Sequence, residues 1–153
     1  MPAEPIMELR GVDKYFGNLA AVNQITLAFE EGEFFTLVGP SGSGKTTLLR
    51  MLAGMDKPTR GDILLRGERI NDRPANLRPT CMVFQSLALF PHMTVGGNVE
   101  YPLKCRGTPP LERKERAARC LEISHLPISY YDRPVTTCSG GERQRVALAR
   151  ALA

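Results

Sequence analysis

The chain has 153 residues, 42% hydrophobic and 24% charged, a balance that fits one globular protein and excludes fibrous or disordered classes. No apolar run approaches the roughly 20 residues that cross a bilayer, and MPAEPIMELR has no basic stretch followed by an apolar core, so a secretory leader is not expected. The formal net charge is +4, with much of the basic excess between Arg106 and Arg150 mixed with glutamates and lacking interleaved aromatics, so a solvated helical face is favoured over nucleic acid or anionic lipid.

Along the chain, MELRGVDKYF alternates Met7, Leu9, Val12 and Tyr15 against charges, with a slip at Gly11, and reads as a half-buried strand. QITLAFEEGE alternates Ile25, Leu27 and Phe29 and turns at Glu31-Gly32. FFTLV, residues 34–38, is apolar throughout and predicts an interior strand covered on both faces. KTTLLRMLAGM predicts a helix with Leu48, Leu49 and Leu52 on one stripe and a stop at Gly54. GDILLRGERI predicts a strand with a turn at Gly67, NDRPANLRPT a polar loop, and PTCMVFQ a strand ending at Gln85.

Beyond Gln85 the character changes. SLALFPHMTVGGNVEYPLK predicts short helices and turns, and LERKERAARCLEISHL, residues 111–126, a charged amphipathic helix. YYDRPVTT reads as a loop, and SGGERQRVALARALA as a helix from Ser139. The expected organisation is a nucleotide-binding α/β core over 1–85, a helical subdomain over 86–137, and a last motif and helix over 138–153. The four cysteines, Cys81, Cys105, Cys120 and Cys138, show no CxxC and no ligand-like spacing with His92 or His125. Reduced cytosolic thiols without a metal are expected.

Two glycine motifs carry chemistry. In GPSGSGKTT, Gly39, Gly44, Lys45 and Thr46 satisfy GxxxxGK[ST]. Glycines let successive backbone N–H groups turn inward as an anion nest, and the helix that follows adds its positive end. Lys45 can reach β- and γ-phosphates as a point charge, and Thr46 can offer its hydroxyl to Mg²⁺. The competing reading, a plain glycine turn, rarely arises by chance with an apolar strand before it and a helix after it. In CSGGERQR, Ser139 and Glu142 have the spacing of a capping box. A well-capped helix alone explains that spacing, but not Gly140 and Gly141, which are costly as first helical residues and leave N–H groups bare for an anion.

GPSGSGKTT, then FQS at Phe84–Ser86, then CSGGERQRVALARAL resemble the Walker A, Q-loop and signature motifs of ABC transporter ATPases, in the expected order and over essentially the whole chain. MVFQSLALFPHMTVGGNVEYPLK is similar to the ATP-binding subunits of spermidine/putrescine, iron(III) or sugar importers, with a lean to polyamine uptake. The resemblance implies an α/β fold, a P-loop NTPase (ABC-ATPase) core with a β-rich N-terminal part and an inserted helical subdomain, its C-terminal part missing. It implies that ATP phosphates lie on Gly39, Ser41, Gly42, Ser43, Gly44, Lys45, Thr46 and Thr47, with adenine on Phe16 and Mg²⁺ near Thr46 and Gln85. Lys45 and Gln85 carry the catalytic roles, Gln85 by helping to position the attacking water. Ser139, Gly140 and Gly141 close over the γ-phosphate held by a second ATPase subunit in a head-to-tail dimer, and the segment after Gln85 docks on transmembrane permease subunits. The protein is expected at the cytoplasmic face of the cell membrane, with no nucleic-acid partner.

The sequence departs from the pattern in three places. Cys138 replaces the usual leucine and Glu142 the common glutamine; neither removes the backbone N–H groups. The family's apolar strand closing on Asp-Glu, and its switch histidine, are not found after the signature; His92 and His125 precede it. Asp56, Asp62 and Asp132 sit in turn contexts and are poor substitutes. Truncation before Walker B therefore predicts slow hydrolysis, and an exposed FFTLV edge, because in the family the missing strand pairs with it. The alternative is a non-catalytic ATP-binding or dimerisation module. An ABC-type ATPase of DNA repair or translation is a third reading, disfavoured by the importer-like stretch after Gln85.

Overall fold

The computed structural model describes residues 5–153; residues 1–4, at the head of the stretch read as lacking a leader, lie outside the described residues. The chain divides into two compact units after Thr80. That is five residues before the boundary expected at Gln85, and the segment from 138 onward belongs to the same unit as 86–137 because its helix completes that unit's apolar core.

The first unit is built on a four-stranded antiparallel sheet in the order β2-β1-β3-β4: β1 Met7–Phe16, β2 Leu19–Phe29, β3 Arg60–Leu65 and β4 Glu68–Arg69. Met7 faces Phe29 and Leu9 faces Leu27; the register then shifts between Leu9 and Val12, the slip expected at Gly11. The alternating residues Leu9, Val12, Val22 and Ile63 fall on one face and are buried there with Ile70. Helix α1, Lys45–Leu52, covers that face with Leu48 and Met51, both buried. Full burial of side chains of this size stabilises by about 1.5–3 kcal/mol each, so the helix that follows the glycine loop is fixed by its apolar stripe.

FFTLV and PTCMVFQ are not strands. Neither segment pairs with a β-strand among the described residues, and Phe34 is 93% and Val38 86% exposed. Apolar character shows only that side chains can be covered; a parallel strand also needs neighbours reached by crossover connections, and neither segment finds one. Leu37 packs against the sheet core, and the Phe35 ring meets Phe29 edge-on at 4.8 Å. Phe34 and Val38 are exposed, against the two-sided cover expected of this run.

The second unit is a three-helix assembly: α2 Val95–Cys105, α3 Pro110–Ile123 and α4 Gly140–Leu152. Val95, Val99, Leu103, Ala117, Leu121, Val146 and Ala149 form its core. Thr94 caps α2 by accepting from the Gly97 N–H at 3.0 Å. Helix α3 ends three residues earlier than the apolar pattern suggests. His125 takes a left-handed φ of 54°, and the His125 and Leu126 amides bond back to the Glu122 and Leu121 carbonyls, a Schellman stop. Among the described residues no helix is long and apolar enough to cross a membrane.

Candidate nucleotide-binding site

The glycine loop runs from Gly39 into α1 within the first unit. Gly44 is the N-cap of α1 with φ 88°, and Gly42 has φ 81°, both in the left-handed region. A Cβ on Gly44 would lie 2.2 Å from the Ala21 carbonyl oxygen of β2, so only glycine lets the loop sit this close to the sheet. The helix has no side-chain cap. Its first intrahelical bond runs from the Leu48 amide to the Gly44 carbonyl, which leaves the N–H groups of Lys45, Thr46 and Thr47 without helical acceptors.

Lys45 folds back over this end. Its ammonium donates to the carbonyls of Gly39 at 2.8 Å and Pro40 at 2.6 Å and to Ser43 Oγ at 3.1 Å. A cation, uncapped amides and two left-handed glycines therefore converge on one exposed loop, with Ser41, Ser43 and Thr46 also exposed. This donor set suits a polyphosphate: anionic oxygens are stronger partners for an ammonium than the carbonyls it now holds. The Thr46 hydroxyl, a hard oxygen donor in the first turn, suits Mg²⁺.

Phe16 closes β1, half exposed, with the Lys14 ammonium 5.1 Å from its ring centroid. Asp56 and Asp62 are committed elsewhere. Arg50 bonds Asp56 at 2.7 Å and holds its carboxyl below the usual carboxylate range, and Arg69 bonds Asp62 at 2.6 Å.

The other predicted residues lie in the second unit. Gln85 is exposed in a turn closed by the Leu87 amide on the Phe84 carbonyl at 2.8 Å. It lines a cleft of about 310 Å³ with Ser86, Pro91, Thr136 and Arg143. Ser139 caps α4 in a complete capping box: Ser139 Oγ accepts from the Glu142 N–H at 3.3 Å, and Glu142 Oε2 accepts from the Ser139 N–H at 2.7 Å. Those bonds, with the Tyr130 hydroxyl donating to Glu142 Oε1 at 2.9 Å, hold the Glu142 carboxyl below its ordinary range. A Cβ on Gly140 or Gly141 would meet nothing within 4 Å. Packing inside this chain therefore does not require glycine at either position. Cys138 is buried in the unit's core, where burial pushes its thiol pKa up.

Sequence reasoning missed the residues that brace these motifs. The Arg133 guanidinium lies 4.5 Å from the Tyr130 ring centroid and donates to the Thr137 carbonyl at 2.8 Å, so YYDR is a scaffold for the capping box rather than a plain loop. Arg150 reaches back 62 residues to the segment after Gln85. Nothing in local spacing marks either contact; the aromatic pair Tyr130-Tyr131 beside Arg133 is the nearest thing to a sequence cue.

A glycine loop that wraps a lysine ahead of an uncapped helix, followed by a second glycine pair opening a capped helix, defines a P-loop nucleotide-binding protein. The model of the ABC transporter family matches residues 22–153, and the chain belongs to that family, with the mixed α/β cassette fold of its ATPases. The chain is 48% identical over 152 residues to the Fe(3+) ions import ATP-binding protein FbpC of Photorhabdus laumondii, covering 99% of this chain and 43% of that protein. It is 52% identical over 147 residues to the spermidine/putrescine import ATP-binding protein PotA of Nitrosomonas europaea, covering 96% and 40%. It thus spans less than half the length of the curated relatives it matches. Among solved structures it resembles the dimeric bacterial ABC transporter cassette MJ0796 with a TM-score of 0.85 and 36% identity, covering 96% of this chain and 69% of that one. The same cassette was also solved as a post-hydrolysis dimer with ADP and Pi, at a TM-score of 0.84.

Proposed function

We propose that this chain is the ATP-binding part of an ABC importer subunit, which couples ATP binding and hydrolysis to solute uptake. The observation that carries the reading is the Lys45 ammonium bonded across the Gly39–Ser43 loop at the uncapped start of α1. On this reading Lys45 exchanges its carbonyl partners for β- and γ-phosphate oxygens. The amides of Gly42 to Thr47 receive the remaining phosphate charge, Thr46 offers its hydroxyl to Mg²⁺, and Phe16 stacks on adenine. Bound Mg²⁺ would screen phosphate charge and favour transfer to water; Gln85 would orient that water. Ser139, Gly140 and Gly141 present their amides to nucleotide on a second ATPase subunit, head to tail, a reading supported by the open space around both glycines and by the dimeric neighbour.

Asp56 and Asp62 are tied up in ion pairs and are not free to act on metal or water. For the residues described we assign nucleotide binding. The committed aspartates favour, as a second reading, a non-catalytic ATP-binding or dimerisation module. The relatives import spermidine/putrescine or Fe(3+) by their names, and a polyamine-like solute is the reading we adopt. The partners are transmembrane permease subunits and the location the inner face of the membrane, in keeping with the relatives' import role.

Calorimetric titration of the chain with magnesium and a non-hydrolysable ATP analogue tests the site. Saturable binding, lost on the order of tenfold or more in Lys45→Ala, is expected. Equal affinity of the parent and Lys45→Ala would sink the assignment. Turnover that Lys45→Ala abolishes would instead sink the non-catalytic reading. Nucleotide-dependent dimerisation without turnover would favour the module.

A further inference from the structure

The turn that carries Gln85 leaves through two consecutive non-glycine residues in the left-handed region, Leu87 at φ 62° and Ala88 at φ 46°. Side chains with a Cβ rarely adopt this conformation, and two in a row persist only where the surroundings impose it. One residue of α4 bonds both of them. Arg150 Nη2 donates to the Leu87 carbonyl at 2.7 Å and Nη1 to the Ala88 carbonyl at 2.6 Å, one arm of the fork on each strained residue. Its guanidinium also lies 5.7 Å from the centroid of the Phe90 ring. Arg150 makes no ion pair with a carboxylate among the described residues, so its charge-assisted bonds are spent on this segment.

Two residues further on the chain is pinned again. Asn98, fully buried in α2, accepts from the Phe90 N–H at 2.8 Å and donates to the Phe90 carbonyl at 3.1 Å. The Gln85 turn is thus continuous with a segment fixed at both ends, by α4 at Leu87-Ala88 and by α2 at Phe90. Gln85 itself is exposed and is held by its backbone alone through the Leu87–Phe84 bond. Whatever sets the path of Leu87 sets where the Gln85 carboxamide can reach.

We propose that Arg150 is a positioning residue: from the helix opened by Ser139–Gly141 it clamps Leu87 and Ala88 in a strained left-handed path and so fixes the Gln85 turn. A lysine cannot reproduce the clamp, because an ammonium lacks the planar fork that meets two adjacent carbonyls. The strain makes the clamp testable in both directions. Removing the fork lets the segment relax, and removing the strain makes the fork dispensable. The consequence for metal-dependent binding rests on the nucleotide reading above; the clamp itself does not.

The test uses the full chain and four forms of it: parent, Arg150→Lys, Ala88→Gly, and the two substitutions together. Hydrogen exchange is followed by mass spectrometry over peptides spanning 84–90, with 95–105 as the internal reference. Arg150→Lys should speed exchange over 84–90 on the order of tenfold and leave 95–105 within about twofold. Adding Ala88→Gly should recover most of that protection, since glycine takes the left-handed path without strain. Exchange over 84–90 that Arg150→Lys leaves unchanged, or a loss that Ala88→Gly does not reduce, would overturn the clamp. So would a loss spread equally over 95–105, which is what a purely structural arginine would give. The same four forms are titrated with the ATP analogue in magnesium and in EDTA. Arg150→Lys should lose about threefold or more of the tightening that magnesium brings while its affinity in EDTA holds. Unchanged magnesium dependence beside faster exchange would refute the positioning of Gln85. A parent chain that binds no nucleotide would fail the functional reading alone, with exchange still deciding the clamp.

Discussion

Gly44 and Gly42 share a left-handed backbone but not a neighbourhood, and alanine at each should separate strain from collision. An alanine at Gly42, φ 81°, meets nothing within 4 Å and costs only the conformational penalty, about 1–2 kcal/mol. An alanine at Gly44, φ 88°, adds the same penalty. Its Cβ would also stand 2.2 Å from the Ala21 carbonyl oxygen and 3.3 Å from that carbonyl's carbon. These are backbone atoms of β2, so no side chain can swing away; loop or strand must shift, at about 1–3 kcal/mol more. Gly44→Ala should therefore cost about 2–5 kcal/mol, a large share of the roughly 5–15 kcal/mol that keeps a domain folded. The reporter is native-state exchange at the Leu48 amide, whose acceptor is the Gly44 carbonyl at 2.9 Å, read beside affinity for the ATP analogue. Gly44→Ala should deprotect Leu48 and abolish binding, whereas Gly42→Ala should leave Leu48 close to parent. An equal loss at the two positions, or a greater one at Gly42, would refute the close approach of loop and sheet.

Arg78, buried with no carboxylate, donates to the carbonyls of Met51, Leu52, Ile70 and Arg73 at 2.7–3.0 Å. In Arg78→Ala the Met51 and Ile70 carbonyls keep the Gly54 and Arg73 amides, while those of Leu52 and Arg73 lose their donor, so urea denaturation should show a loss of about 2–4 kcal/mol; a loss below about 0.5 kcal/mol would contradict it. Glu142 has a folded pKa lowered first by the Ser139 N–H and then by the Tyr130 hydroxyl. Its contribution to the α4 cap is thus complete above the ordinary glutamate pKa and lost as pH falls through the depressed one. Glu142→Gln should flatten the acid limb of the helix's urea midpoint against pH below about 4.5, and an unchanged limb would place the acid sensitivity elsewhere. Phe16, half exposed, contributes little to the core, so Phe16→Ala should keep the parent's melting temperature. It should weaken ATP by the stacking worth of one base, about 1–3 kcal/mol, and leave inorganic triphosphate untouched; equal losses for both ligands would remove Phe16 from the adenine site.

What could be read from the sequence was whatever a short window encodes. The alternation of Leu9, Val12, Ile25 and Leu27 gave strands in the right places because each side chain's face depends only on its own position along the pleat. The glycine loop and the capping box were legible for the same reason: Gly39 to Thr46 and Ser139 to Glu142 make their bonds within eight residues. FFTLV failed because a continuous apolar run reports coverage, while a strand also needs hydrogen-bonding neighbours, which no local pattern encodes. The end of α3 was missed because a histidine supplies the left-handed residue where glycine would have announced it. The bracing arginines are the hardest case. Arg133 and Arg150 look like members of a solvated basic face and Arg78 like part of a polar loop, yet each spends its guanidinium on backbone carbonyls, two of them across 26 and 62 residues. Of the three only Arg78 is buried, so only its charge is withdrawn from the surface this chain offers to a partner. Lys45, part-buried, likewise spends its ammonium on carbonyls, weaker acceptors than the phosphate oxygens its loop suits.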